Sequence, residues 1–461
     1  MFDRRQFLHT TLSTATAALL APQFLIGAEK PSLKLASFRV DVSPPMDHPL
    51  CGGWIKSVVG VDDAEEAIGL VITGVGDPIV IVAVDWTGIL NQAHQRWRQV
   101  LAQAAGTTPD RVAVQCVHQH NAPFVCLEAE KIVTAQDGLP HTVFVDFFEK
   151  SLEQTAKAVT DAMKRLRPVT HIATGQAKVE KVASNRRFLN DKGIVSDWRG
   201  SASKNPVHWE LPEGLIDPWL KTVAFYDGET KLAACHYYAT HPMSYYGDGK
   251  VCSDFVGLAR KRRQAEEPEC AHIYFTGCSG NIAAGKYNNG TPEARVQLTD
   301  RIYAGIVGSE QQLMKQPIET VAWQTENILF TPRAALNETT LMEQVRNKDA
   351  ALANRIRPAM SLGWLRRCER KEPIVLSALH INSTTLLHLP AESFVEYQLR
   401  AQAAAPQRFV ATAAYGDGGP WYIPVAEAYP QGGYEVSVAL SEPTADATMT
   451  AGLTKLAMAK G

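Results

Sequence analysis

The stretch Val112-Ala113-Val114-Gln115-Cys116-Val117-His118-Gln119-His120-Asn121-Ala122-Pro123 decides how the rest of the chain is read. Its apolar, β-branched opening has the composition of a strand, and the run stops abruptly at His118-Gln119-His120. A strand's period of two would point both imidazoles the same way. Two convergent imidazoles at a strand end can hold a metal. Ordinary hydrogen-bonded histidines give the same pattern, so its meaning depends on partners elsewhere in the chain.

Similar endings recur further along. The apolar run 231–240 stops at His241-Pro242, the run 384–389 at Pro390-Ala391-Glu392, and the run 409–414 at a glycine-rich turn that leads to Tyr422. In α/β proteins the carboxyl ends of strands are where sites collect, because the sheet is rigid and the loops are free to vary. Two imidazole nitrogens and a carboxylate oxygen suit Zn²⁺, with an open position for a water that ionises near neutral pH and attacks a carbonyl. Tyrosine is an uncommon ligand, and spacing alone makes Tyr422 a buried aromatic.

Between these runs the pattern alternates. Helical spacing covers 91–105, 144–166, 292–315, 338–356, 393–404 and 444–459, and Ser253 with Asp254 has the residue types that cap a helix over 253–267. Hairpins are expected at 68–86 and 221–240. The result is a single α/β domain over residues 29–461, with mixed β-sheets flanked by helices. Residues 190–218 have no periodicity and read either as a loop that covers a substrate or as a surface insertion. Asp85 and Asp254 read as turn or cap residues, and His236, His272, His380 and His388, inside apolar runs, as core histidines.

Among 461 residues, 45% are apolar and 20% charged, which is the composition of a globular protein. A net charge of -2 with no basic run excludes nucleic acid and acidic membrane surfaces as electrostatic partners. The eight cysteines contain no CxxC pair, which removes zinc-ribbon and thioredoxin readings and leaves disulfide pairing open. Residues 1–28 place Arg4-Arg5 before an apolar stretch, 12–26, that ends in Gly27-Ala28. That order is expected of a twin-arginine export signal, with delivery to the periplasm or beyond and no membrane span after cleavage.

The segments Val40-Asp41-Val42-Ser43-Pro44-Pro45, VHQHNAP (117–123), Asn185-Arg186, Ile216-Asp217-Pro218, YATHPMSYYGDGKVCSD (238–254), LPAESF (389–394) and WYIPVAEAYPQGGYEV (421–436) follow one another in this chain. In that order, over roughly residues 37–437, the chain resembles the catalytic domain of neutral, non-lysosomal ceramidases, in particular the short bacterial ceramidase-like proteins. Those enzymes are zinc amidases that split the N-acyl bond of ceramide. The resemblance implies His118, His241, Glu392 and Tyr422 as zinc ligands. It makes His120 a neighbour that binds the oxyanion or shuttles a proton, and Arg186 a group for the oxyanion or a product carboxylate.

The chain also departs from the family. Gly277-Cys278-Ser279-Gly280-Asn281 stands where ceramidases have Gly-Asp-Val-Ser-Pro-Asn, so Ser279 is implied as a substrate-binding hydroxyl, and as a nucleophile only if a base activates it. The approach to Tyr422 is glycine-rich instead of tyrosine-rich, and no counterpart of the family's immunoglobulin-like C-terminal domain follows it. The expectation is an exported zinc-dependent amidohydrolase that acts on a lipid or small-molecule N-acyl compound. Hydrolysis of a soluble N-acyl or ester substrate, and a non-catalytic exported binding protein of the same fold, are the alternatives.

Overall fold

Val112–Cys116 is fully buried along its length and pairs in parallel with Ile79–Val84, which is buried at every position too. Continuous apolar runs of this kind belong to strands covered on both faces. In the computed structural model, which describes residues 32–459, the two strands form one edge of a five-stranded sheet completed by Glu66–Thr73, Lys34–Asp41 and Arg167–Pro168. The twin-arginine segment lies outside the described residues.

Two further sheets repeat the arrangement. One orders Ala271–Thr276, Thr230–Tyr238, Trp219–Asp227, His171–Lys178 and Met314–Pro317; the other orders Val321–Ile328, Ile374–Ile381, Thr384–His388 and Phe409–Ala413. Each again has a parallel pair at one edge, Thr230–Tyr238 with Ala271–Thr276 and Thr384–His388 with Phe409–Ala413. Mixed sheets flanked by helices are therefore the architecture, as the alternating pattern predicts.

Backbone hydrogen bonds tie the three parallel edges together at their carboxyl ends. Cys116 N–H donates to Tyr415 O and Ala414 N–H to Thr276 O, each at 2.8 Å, and Thr276 Oγ1 donates to Val117 O at 2.7 Å. Gln115, the one polar residue of its strand, has its Nε2 between Leu389 O, Ala413 O and Ala414 O at 2.8 to 3.1 Å. Strands from all three sheets thus end at one place, and the loops that leave them share a common space.

Local differences from the sequence pattern have physical reasons. The helix expected at 338–356 is two helices, Glu338–Arg346 and Leu352–Glu369, because Asn347 turns the chain and its side chain accepts from Asp349 N–H at 3.1 Å. Residues 190–218 are not featureless: Arg187–Leu189 pairs with Val195–Trp198, and Asn205 caps the short helix Pro206–Glu210. Ser253 does not cap its helix, since its hydroxyl bonds Asp63, whereas Asp254 accepts from Phe255 N–H at 2.6 Å and from Ser244 N–H at 3.0 Å.

His388 and His380 are core residues that burial pushes down to about 4, so both are neutral. His236 and His272 stack at 5.3 Å, and burial lowers both. Glu310 and Glu267 lie beside this pair, but Lys231 and Arg263 already bridge both carboxylates, which leaves no unbalanced negative charge for a cation. All eight cysteines are free. Among the described residues no helix is long and apolar enough to cross a membrane.

Candidate metal centre

The ladder between the first two parallel strands runs past Cys116, with Val117 N–H donating to Val84 O and His118 N–H to Trp86 O. The chain then turns sharply, and His118 takes φ 78°, a left-handed conformation that costs a non-glycine residue roughly 1 kcal/mol or more. His118 and His120 therefore project from a turn and not from a strand, with ring centroids 4.8 Å apart. Between them Gln119 anchors the turn by donating to Asp85 Oδ1 at 3.1 Å and Ser253 O at 3.2 Å. Asp85 is itself fixed by Glu66 N–H at 3.0 Å, so its part is to hold this loop.

The other residues reach the same space from the remaining edges. His241 follows Thr230–Tyr238 and donates its backbone N–H to Ile282 O at 3.1 Å. Glu392–Ser393 and Tyr422–Ile423 form a short parallel pair in which Glu392 stands opposite Tyr422, which puts both side chains on one face. Ala391 and Trp421, immediately before Glu392 and Tyr422, have positive φ of 51° and 58°, and Tyr415, which opens the glycine-rich turn toward Tyr422, has 59°. Strained backbone held in place by surrounding bonds is concentrated here.

The protonation of the histidines follows from their partners. His118 Nδ1 lies 2.6 Å from Thr87 O, and His241 Nδ1 lies 2.7 Å from Ser279 O and 3.0 Å from Ile282 O. Carbonyl oxygens only accept, so each Nδ1 carries the hydrogen and each Nε2 presents a lone pair. His241 Nε2 stands 3.1 Å from Glu392 Oε2, and His118 Nε2, buried and without a hydrogen bond, stands 3.4 Å from the same oxygen. Lone pairs that face a carboxylate in a buried site repel unless a cation or an extra proton lies among them. Burial, the largest influence on His241, lowers its pKa and disfavours that proton.

The donor set therefore fits a divalent cation. Tyr422 Oη completes it at 3.5 Å from His241 Nε2, and the ligand atoms of His118, His120 and His241 all lie within 4.8 Å of one another. His120 Nδ1 is buried with no hydrogen-bond partner.

The whole molecule is similar to solved structures that share little of its sequence. Neutral ceramidase from Pseudomonas aeruginosa superposes with a TM-score of 0.67 at 17% identity, covering 93% of this chain and 74% of that one. The chain has the neutral ceramidase fold. A ceramidase complexed with C2 superposes with a TM-score of 0.63 at 15% identity, covering 92% and 75%. No protein-family model matches the sequence, and a search of curated proteins finds no match.

Within this ceramidase fold, Ser184–Asn185 pairs with Ile282–Ala283, which brings Arg186 beside His241. Arg186 Nη1 donates to Tyr422 Oη at 3.2 Å. Its Nε stands 3.5 Å from Glu435, and its guanidinium lies 4.4 Å from the Trp198 ring centroid. Burial alone would lower the Arg186 pKa, but Tyr422 and Glu435 outweigh it and keep the guanidinium charged.

Ser279 is fully buried, and its hydroxyl bonds Tyr415 Oη at 2.7 Å. It does not line the cavity, and its backbone carbonyl, not its hydroxyl, reaches the candidate ligands by orienting His241. Tyr415 stacks on His118 at 4.2 Å, so it sets the plane of that ring. Tyr415, Trp198, Glu435 and Thr87 O are the functional groups that sequence reasoning misses. Glu435 lies within the 421–436 segment, but nothing in its spacing points to Arg186.

Proposed function

We propose that the protein is an exported, Zn²⁺-dependent amidohydrolase of the ceramidase type that cleaves an N-acyl amide bond. The observation that carries this reading is the buried meeting of two imidazole lone pairs with the Glu392 carboxylate at 3.1 and 3.4 Å, which a cation would relieve. The likeness to enzymes named ceramidase supports the choice of bond, and the twin-arginine segment supports export. His118, His241, Glu392 and Tyr422 would hold the metal.

A bound Zn²⁺ supplies Lewis acidity toward the amide carbonyl and lowers the pKa of water enough to make a nucleophile at neutral pH. The chain's own residues supply the rest. Arg186, fixed between Glu435 and Trp198, presents Nη1 beside Tyr422 Oη, where both can donate to the carbonyl oxygen as negative charge develops. His120 Nδ1, which has no protein partner, can take a proton and return it to the leaving nitrogen. Trp54, Phe124 and Trp421 pack on one another at 5.8 to 6.1 Å and wall the cavity against bulk water. The cavity itself has a volume of only about 120 Å³, enough for an amide and its nearest substituents.

Removal of metal with dipicolinate is expected to lower amide hydrolysis more than tenfold, and Zn²⁺ to restore it. Short-chain ceramides and N-acyl amino acids are the substrates to assay. Hydrolysis that persists in chelated, metal-free protein would overturn the reading.

A further inference from the structure

Arg357 lies on the helix Leu352–Glu369 at the junction of two spaces. It lines the small cavity of the metal centre, and it also lines the adjoining cleft of about 690 Å³. Trp421 is shared by both spaces as well. One face of the helix, marked by Asn354, Arg357 and Ser361 at helical spacing, forms a wall of the larger cleft.

The charge at this junction is unbalanced. Arg357 makes no ion pair among the described residues, and its Nε is buried without a hydrogen-bond partner. Its guanidinium lies 5.2 Å from the centroid of the Trp54 ring, which orients the planar fork without neutralising it. The cleft also includes Arg333, and no carboxylate is among the residues that line it. In the metal cavity the lining carboxylate is Glu392, which the cation site already engages. Arg186, the other cation of that cavity, is paired with Glu435, so Arg357 is the cation lining the metal cavity that has no counter-charge; Arg333, in the cleft alone, donates to Val436 O and lies over the Tyr429 ring.

The cleft's remaining lining argues in the same direction. Most of the other lining residues are apolar, while Gln344, Asn347, Asn354 and Ser361 add hydrogen-bonding groups, so the cleft suits a ligand that joins an apolar part to a compact anionic group.

We propose that Arg357 is a specificity residue that binds a carboxylate on the substrate, so that the natural substrate is an N-acylated carboxylic acid, such as an N-acyl amino acid, and not a neutral lipid amide. The proposal rests on the amidohydrolase reading for the scissile bond, but carboxylate binding can be measured without turnover. A guanidinium fork and a carboxylate form a charge-assisted, bidentate pair, and a neutral amide in the same position cannot replace it.

The test uses calorimetric titration of the Zn²⁺-loaded protein with two matched pairs of probes. N-hexanoylglycine against N-hexanoylglycinamide places the carboxylate on the amine side of the bond. Adipic acid monobutylamide against N-butylhexanamide places it on the acyl side. Wild-type protein is expected to bind the acid of one pair roughly tenfold or more tighter than its neutral partner. Arg357→Met is expected to abolish that preference, and Arg357→Lys to retain part of it.

Equal binding within both pairs would overturn the proposal. So would a preference that survives in Arg357→Met, since the carboxylate would then be held elsewhere, for instance by the metal. Hydrolysis of the preferred probe is followed separately. A carboxylate preference that depends on Arg357, with no turnover, would refute the amidohydrolase reading and leave the binding site standing.

Discussion

Replacing Glu392 with glutamine is expected to lower kcat/KM for amide hydrolysis by about 10³-fold or more and to leave the purified protein depleted of divalent metal. The substitution keeps the shape of the side chain and removes its charge. In the wild type the Glu392 carboxylate faces the Nε2 atoms of His241 and His118 at 3.1 and 3.4 Å. A carboxamide offers a cation no charge, and its NH₂ group can instead donate to the lone pair of His241 Nε2, 3.1 Å from the present carboxylate oxygen. The variant should therefore fold, with the repulsion relieved by a hydrogen bond and the metal excluded. Metal content by mass spectrometry and initial rates on the same preparation check both halves. Wild-type activity in a metal-poor Glu392→Gln protein would contradict the assignment.

The second large effect falls on the turn that carries Tyr422. Asp417 is buried, and Arg367 Nη1 meets its Oδ2 at 2.5 Å. Its Oδ1 accepts from Asn91 N–H at 3.0 Å and from Gly419 N–H at 3.1 Å. Arg367 also donates to Pro373 O at 2.7 Å and Glu372 O at 3.3 Å, so the pair ties the turn to the end of the long helix. Arg367→Met is expected to cost about 3–5 kcal/mol of unfolding free energy at pH 7, because a buried carboxylate loses its counter-ion.

The pH dependence of that loss has a definite sign. In the wild type burial raises the Asp417 pKa, but Arg367 and His94 outweigh it and the net shift is downward. A depressed carboxyl pKa stabilises the fold above the unfolded value, near 4, and that contribution disappears as pH falls through the folded value. In Arg367→Met burial is less opposed and raises the Asp417 pKa, so protonation removes most of the penalty. The difference between the two proteins in urea unfolding should narrow as pH drops toward 4. A difference that stays constant with pH would show that the cost arises from lost packing instead.

Much of the fold, and the meeting of His118, His241 and Glu392 in one candidate site, could be read from the sequence because both rest on apolar strands with abrupt ends. His118, His241 and Glu392 each follow such a run, and the parallel edges of three sheets bring those ends together. What the sequence does not display is loop geometry. The left-handed conformations of His118, Tyr415 and Trp421 depend on hydrogen bonds from distant segments, which no local propensity encodes. Tyr415 looked like part of a glycine-rich turn, yet it stacks on His118 and bonds Ser279.

Trp198 and Arg357 were hidden for a related reason. Trp198 lies in the segment without periodicity, and only its pairing with Arg187 brings it over the Arg186 guanidinium. Arg357 falls just past the end of the helix expected over 338–356, at a point where the chain has already turned at Asn347 and begun a second helix. The direction of that second helix is set by packing, not by composition.

The most direct test of the metal centre is anomalous diffraction from crystals of the purified, active protein, recorded on both sides of the zinc absorption edge. The expected result is one strong zinc peak at roughly 2.0–2.3 Å from His118 Nε2, His241 Nε2 and a Glu392 carboxylate oxygen. Active crystals with no peak there, or with the peak at another cluster such as His236 and His272, would contradict it.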